Sequence, residues 1–216
     1  MRNIKGVIFD LDGTLLDSMT IWGDVAERYL KNHGAIIKPG LRDELRSLNT
    51  IEEAQYYIDE YGIDLPLEEV IDGRDNMMLE LLLNEVTLKK GVLTVLNTLK
   101  ERGVKMCLAT ATERKLVEPS LHRHSIMNYF ECIFTCTEEN TSKKNPDIYV
   151  RAAEFLGTDK SETLVVEDAL YAMKTAKKAG FVVAGVYDIV AEDQQEEIKS
   201  VCDYYWINID EMLECF

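Results

Sequence analysis

The chain has 216 residues, 46% of them hydrophobic and 29% charged, which fits a globular protein of one domain with an insertion or of two small domains. Its formal net charge of −15 argues against nucleic acid as a partner, because phosphates would be repelled over most of the surface. No apolar run reaches the roughly 18–20 residues of a membrane span, and the N-terminal residues lack the pattern of a signal peptide. We therefore expect a cytoplasmic protein, without a membrane partner and monomeric.

Six short runs rich in β-branched and aromatic residues predict strands. In chain order they are IKGVIF near residue 4, VKMCLA at 104, CIFT at 132, TLVV at 163, FVVAGV at 181 and YYWI at 204. Helical patterns separate the later runs, and three of these patterns end at Gly103, Gly157 and Gly180. Strands that alternate with helices predict an α/β fold with a parallel sheet.

One connection is longer than the others. The first predicted strand ends near Asp10 and the second begins near Val104, whereas later strands start about 20 to 35 residues apart. The segment 16–87 is rich in helix formers, and we predict that it is an inserted helical cap domain. Residues 1–15 and 88–216 then form the core domain. An insertion that follows the first strand is a candidate lid over the carboxyl end of that strand.

The five cysteines are predicted to be reduced thiols, since their number is odd and no CxxC pair occurs. Cys132 and Cys136 are four residues apart, but no histidine or second cysteine pair completes a zinc site around them.

Polar side chains close several of the predicted strands. Asp10 and Asp12 end the first, Thr110 ends the second, and Glu167 with Asp168 ends the fourth. Side chains two apart on a strand face the same side, and ligands of open α/β sheets bind outside the carboxyl ends of strands. We therefore expect these groups to converge at one edge of the sheet.

The chemistry of this set points to phosphoryl transfer. Four gathered carboxylates repel one another unless a cation joins them, and oxygen ligands without histidine favour Mg²⁺. Lys143 and Lys144, in the loop after CIFT, together with the Thr110 hydroxyl, add donors for an anion. In such a site one aspartate can attack phosphorus, and the other can protonate the leaving oxygen.

Four segments resemble, in order, the motifs of the haloacid dehalogenase-like hydrolases: DLDGTLLDS, LATAT, KKNPDIY and VVEDA. The chain is similar to the branch with a small helical cap, which includes phosphoglycolate phosphatases and β-phosphoglucomutases. This resemblance implies a Rossmann-like core with helices on both faces. It implies that Asp10 is a nucleophile that becomes an aspartyl-phosphate and that Asp12 is the acid–base. Mg²⁺ would be bound by Asp10, the Asp12 backbone carbonyl and Asp168, with Glu167 binding directly or through water.

By the same resemblance, Thr110 and Lys143 would hold the phosphoryl oxygens, aided by backbone N–H groups near Leu11 and Ala111. The third motif reads Lys-Lys-Asn-Pro-Asp where the family has Lys-Pro-x-Pro-Asp, so Lys144 stays an alternative to Lys143.

Two cap positions differ from the mutase branch. Trp22 stands where that branch usually has a histidine, and Thr50 where it has an arginine, so recognition of a doubly phosphorylated sugar has little support. We expect Trp22 to contact the substrate, because substrate pockets are commonly lined by aromatic groups. Asp12 argues against dehalogenation, since true dehalogenases lack this second aspartate.

The sequence thus predicts a Mg²⁺-dependent phosphatase acting on a small phosphorylated metabolite. Two alternatives stay open: a phosphosugar mutase of the β-phosphoglucomutase type, and a non-catalytic regulatory protein that binds phosphate. The sequence does not identify the substrate.

Overall fold

The chain divides into two compact units in the computed structural model, which describes residues 4–45, 48 and 50–215. Met1–Met19 and Thr87–Phe216 form the first, here called the α/β unit, and Thr20–Val86 form the second, the helical unit. Within the described ranges, no helix has both the length and the apolar character that crossing a membrane requires.

The described residues of the helical unit form four helices: α1 (Met19–Asn32), α2 (Leu41–Leu45), α3 (Thr50–Tyr61) and α4 (Leu67–Asn84). One face of α1, α3 and α4 is apolar, and these faces share a buried cluster that includes Leu30, Ala54 and Val70. Tyr29 and Tyr57 stack at the centre of this cluster, with ring centroids 5.8 Å apart. The helical unit therefore has a hydrophobic core of its own.

Buried ion pairs and a cation–π contact of Arg74 link three helices of this unit. The Arg74 guanidinium, on α4, lies between the carboxylates of Glu53 at 3.2 Å and Asp75 at 3.1 Å. It also lies over the Trp22 ring, 5.6 Å from the centroid. A buried arginine is tolerated only when its charge is paired, so these contacts must be kept in the folded protein. They therefore hold α1, α3 and α4 against one another.

The α/β unit contains a six-stranded sheet with the strand order β3-β2-β1-β4-β5-β6. All five strand pairs are parallel. The strands are β1 (Gly6–Phe9), β2 (Lys105–Thr110), β3 (Cys132–Thr135), β4 (Thr163–Glu167), β5 (Val182–Val186) and β6 (Tyr204–Trp206). The prediction of an α/β fold with a Rossmann-like parallel sheet is confirmed.

The crossovers between these strands are mostly helical. They include α5 (Val92–Glu101), α6 (Arg114–Arg123), α7 (Asp147–Leu156), α8 (Leu170–Lys178) and α9 (Gln195–Val201). Residues of α7, α8 and α9 share one core cluster with Ile8, Cys107 and Val165 of the sheet. The alternate β1 residues Val7 and Phe9 are also fully buried, so both faces of the sheet are covered.

The cysteines at 107, 132, 136 and 202 are free thiols. The side chain of Cys215 lies outside the described residues.

Two connecting segments lead to and from the helical unit, and they meet inside the α/β unit. The Asp17 N–H donates to the Thr87 carbonyl at 2.9 Å, and Leu16 pairs with Leu88 in an antiparallel bridge. Residues 16–19 and Thr87, which the sequence analysis assigns to the cap, therefore cluster with the α/β unit. The difference arises because these backbone pairings are long-range contacts that composition does not reveal.

Candidate active site

The topology of the sheet brings chemically active residues to one edge. Asp10 directly follows β1, Thr110 ends β2, and Glu167 ends β4 with Asp168 next in the chain. Strand β1 lies between β2 and β4, so these carboxyl ends are adjacent. The Asp10 N–H donates to the Val166 carbonyl at 3.0 Å, which continues the sheet pairing up to the aspartate.

Three carboxylates form the centre of the site. Oxygens of Asp10, Glu167 and Asp168 lie within 4.8 Å of one another. All three side chains are buried, with 7%, 0% and 5% exposure respectively. Such a concentration of negative charge away from water requires positive charge nearby.

Lys143 supplies part of that positive charge. Its Nζ contacts Asp10 Oδ1 and lies 2.7 Å from Glu167 Oε1, and the residue is only 4% exposed. Lys144 is exposed. A tight turn, in which the Asn145 N–H donates to the Ser142 carbonyl at 2.9 Å, sets this register. Of the two candidate lysines, the structure therefore brings Lys143 to the carboxylates.

The charges of the site shift one another's pKa values. Burial raises the pKa of Asp10 to about 7, against the pull of Lys143 and with the support of Glu167. Burial, followed by repulsion from Asp10 and Glu167, raises the pKa of Asp168 well above its ordinary value. Burial alone would lower the pKa of Lys143, but its two carboxylate partners reverse the effect and raise it. The carboxylates thus hold more negative charge than one lysine relieves.

The two carboxylate oxygens of Glu167 differ in their hydrogen bonds. Its Oε1 accepts hydrogen bonds from Lys143 Nζ and from the Tyr149 hydroxyl, the latter at 2.8 Å. Its Oε2 is buried and has no hydrogen-bond partner in the part of the chain that the structure describes. A buried carboxylate oxygen without a donor is costly, and a cation would satisfy it. The hard oxygen donors of Asp10, Glu167 and Asp168 therefore fit Mg²⁺.

Tyr149 was not predicted as a site residue. Burial, then the neighbouring Glu167 charge, raises its pKa well above the ordinary value, so its hydroxyl stays protonated and donates. The available sequence signal is the type of residue: a buried tyrosine, unlike phenylalanine, needs a partner for its hydroxyl.

Asp12 is held differently from the other carboxylates. Its Oδ1 accepts a hydrogen bond from Ser18 Oγ and its Oδ2 one from Thr112 Oγ1, both at 2.6 Å. Its carboxylate is not one of the three gathered at the centre. Ser18 and Thr112, which the sequence analysis missed, thus fix the orientation of the Asp12 side chain.

Gly13 allows the loop to pass against Asp168. Its φ of +78° lies in the left-handed region, and an added Cβ would lie 2.3 Å from Asp168 Oδ2. Only glycine satisfies both conditions without displacement of the Asp168 carboxylate.

The remaining predicted site residues differ in burial and in their contacts. Thr110 is buried, and its Oγ1 accepts a hydrogen bond from the Thr112 N–H at 3.1 Å. Leu11 is buried and Ala111 is exposed, each directly next to a site residue in the chain. Trp22 belongs to the helical unit, and its contact with substrate stays a prediction.

A second polar region lies at the carboxyl ends of β5 and β6. A cavity of about 320 Å³ there is lined partly by Lys89, Asp188 and Asn208. Lys89 Nζ pairs with Asp188 Oδ2 at 2.8 Å, and Asp188 is one of the charges that raise the pKa of Asp168. A charge of this second region thus acts on a carboxylate of the candidate site.

Comparison with known proteins assigns this chain to a family. The model of a family described as haloacid dehalogenase-like hydrolase matches residues 7–186. The chain is 29% identical over 178 residues to the Bacillus subtilis protein named "Putative phosphatase YhcW", covering 82% of this chain and 80% of that protein. It is 30% identical over 195 residues to (DL)-glycerol-3-phosphatase 1 of Arabidopsis thaliana, covering 86% of this chain and 65% of that one.

A solved structure has the same fold. CbbY from Rhodobacter sphaeroides, crystallised with phosphate, superposes with a TM-score of 0.80 at 20% identity, covering 97% of this chain and 96% of that one. The family model covers far more than half of the residues. It includes β2 to β5 and all of β1 except Gly6, whereas β6 lies beyond the matched range. The chain belongs to the haloacid dehalogenase-like hydrolases.

Proposed function

We propose that this protein is a Mg²⁺-dependent phosphatase that hydrolyses a small phosphate monoester through an aspartyl-phosphate at Asp10. The observation that carries the proposal is the buried group of Asp10, Glu167 and Asp168 in contact with Lys143. The relatives that bear phosphatase names support it.

Asp10 is the proposed nucleophile. One of its carboxylate oxygens attacks phosphorus, and the bond from phosphorus to the leaving oxygen breaks. Asp12 donates a proton to that oxygen. In the second step, Asp12 takes a proton from water, whose oxygen attacks phosphorus, and inorganic phosphate and free Asp10 are released.

The other residues neutralise charge and orient the phosphoryl group. The Thr110 hydroxyl accepts from the Thr112 N–H, so its own proton can be donated to a phosphoryl oxygen. Lys143 Nζ, beside Asp10, binds a second oxygen, and the N–H groups of Leu11 and Ala111 assist. Mg²⁺, bound by Asp10, Asp168, Glu167 and the Asp12 carbonyl, would supply further charge neutralisation of the transferring group.

The helical unit is proposed to act as the cap. Its two connecting segments run side by side inside the α/β unit, through the Asp17–Thr87 hydrogen bond and the Leu16–Leu88 bridge. Paired crossings of this kind suit a hinge, and a closing cap would exclude bulk water during the reaction. Trp22 is the residue of this unit that we propose contacts the substrate.

The test is phosphate release from a panel of small phosphomonoesters, with Mg²⁺ or with EDTA, for the wild type and for Asp10→Asn. The proposal predicts release that needs both the metal and Asp10. Release by Asp10→Asn at the wild-type rate would overturn it. A sugar-phosphate product that is isomerised and not hydrolysed would favour the mutase, and tight binding of an ester without turnover would favour a regulatory protein.

A further inference from the structure

The hydroxyl of Tyr149 makes a contact at the edge of the catalytic group that the proposed mechanism does not use. We propose that Tyr149 is a positioning residue, which orients Glu167 so that its Oε2 is left for the cation. This inference rests on the proposed function, because it concerns the same Mg²⁺ site.

The two oxygens of the Glu167 carboxylate have different surroundings. Oε1 accepts two hydrogen bonds, from Tyr149 at 2.8 Å and from Lys143 at 2.7 Å. Oε2 has no partner in the described ranges, although Glu167 is fully buried. Both donors thus act on one oxygen, and this fixes which oxygen is free.

The two donors to Oε1, Lys143 and Tyr149, are not equivalent. Lys143 Nζ also contacts Asp10, and in the proposed mechanism it binds a phosphoryl oxygen. Its hydrogen bond to Glu167 therefore competes with other demands during the reaction. Tyr149 has a single described hydrogen-bond partner for its hydroxyl, so its contact is dedicated to Glu167.

The Tyr149 side chain is held in place by its surroundings. The residue lies in the first turn of α7, with its N–H donating to the Pro146 carbonyl at 3.0 Å. Its ring is 1% exposed and packs edge-on against Phe181, with centroids 6.2 Å apart. A buried ring in close-packed surroundings has few accessible rotamers. The tyrosine hydroxyl is therefore a fixed point against which Glu167 is held.

Groups that hold a metal ligand in place commonly change metal affinity by about 10- to 100-fold when removed. Tyr149→Phe keeps the ring and its packing and removes only the hydroxyl. We expect this variant to bind Mg²⁺ about 10-fold more weakly, with a melting temperature in EDTA close to that of the wild type.

The experiment is calorimetric titration of MgCl₂ into the wild type, Tyr149→Phe and the control Tyr205→Phe. The control removes a comparable hydrogen bond in the α/β unit, from the Tyr205 hydroxyl to Gln195 Oε1 at 2.6 Å. The proposal predicts a raised Kd for Tyr149→Phe alone. It also predicts that Tyr149→Phe has no further effect on the Kd in a Glu167→Ala background, because its action passes through Glu167.

The outcomes separate the two proposals. If the wild type binds no Mg²⁺, the metal requirement of the proposed function is wrong, and the Tyr149 inference is wrong with it. If the wild type binds Mg²⁺ and Tyr149→Phe binds it equally well, only the Tyr149 inference is wrong. An equal Kd together with a lower melting temperature in EDTA would show that the hydroxyl has only a structural role. A dependence of phosphatase activity on Mg²⁺ that shifts to higher concentration, with kcat recovered at saturation, would support the inference.

Discussion

Removal of the Asp10 charge is expected to stabilise the metal-free protein and to flatten its response to pH. In the folded protein, burial raises the pKa of Asp10 from its ordinary value of 3.8 to about 7. Between these values the folded protein keeps a proton on Asp10 that the unfolded chain has lost. Stability therefore falls as pH rises through this window, because the folded state binds more protons than the unfolded state.

The size of the effect follows from the window. Each pH unit well inside it changes the free energy of unfolding by about 1.4 kcal/mol, and the slope flattens near pH 7, so Asp10 alone would lower the stability of the metal-free wild type by about 2 kcal/mol between pH 5 and pH 7. The raised pKa of Asp168 acts in the same direction. Asp10→Asn cannot ionise at this position, so its stability should vary less with pH by about that amount.

The assay is urea unfolding in EDTA at several pH values for the wild type, Asp10→Asn and the control Asp64→Asn. Asp64 is exposed in the helical unit, so its substitution tests the chemical change alone. The control should follow the wild type. Parallel pH profiles for the wild type and Asp10→Asn would refute the reasoning, since they would show that Asp10 keeps its ordinary pKa in the fold.

The remaining predictions concern the cation, the lysine, the loop and the acid–base. Mg²⁺ affinity of the wild type, measured by calorimetry, should fall as pH is lowered below about 7, since protons and the cation compete for Asp10; an affinity independent of pH would contradict this. Lys143→Met should lower kcat/KM for phosphate release at least about 100-fold, whereas Lys144→Met, on an exposed side chain, should change it little; equal losses would be contrary evidence. Gly13→Ala should lower the free energy of unfolding by about 1–2 kcal/mol or more and weaken Mg²⁺ binding, because its Cβ would displace Asp168; wild-type affinity would speak against this. Thr112→Val should lower kcat about 10-fold without a change in the Kd for Mg²⁺, because it frees one oxygen of the acid–base; a kcat equal to that of the wild type would exclude this role.

The strands of the α/β unit could be predicted because both faces of the sheet are buried. Residues such as Val7, Ile8 and Phe9 are all inaccessible, so the strand is a continuous apolar run in the sequence. The convergence of groups at the carboxyl edge also follows from topology, since parallel strands end at the same side. These features follow from the apolar pattern of the strands and from the order in which they pair.

The finer features of the site depend on side-chain direction, which the sequence does not contain. Lys143 and Lys144 are neighbours, and only the turn at Ser142–Asn145 decides which of them is buried. The donors to Asp12 come from Ser18 and Thr112, whose separations from it, six and 100 residues, form no motif. Tyr149 could be identified as a core residue from its type, but it lies on α7 and its partner Glu167 ends β4, so their contact could be seen only in the folded structure.

The central claim is that Asp10 becomes covalently phosphorylated, and trapping that species tests it most directly. The wild type would be mixed with Mg²⁺ and the ester turned over fastest in the panel, quenched in acid during turnover and treated with borohydride, which reduces an acyl phosphate to an alcohol. Peptide mass spectrometry would then locate the reduced residue. We expect reduction at Asp10 in the wild type and none at position 10 in Asp10→Asn. Steady turnover by the wild type with no reduction at Asp10, or with reduction at another carboxylate, would contradict it.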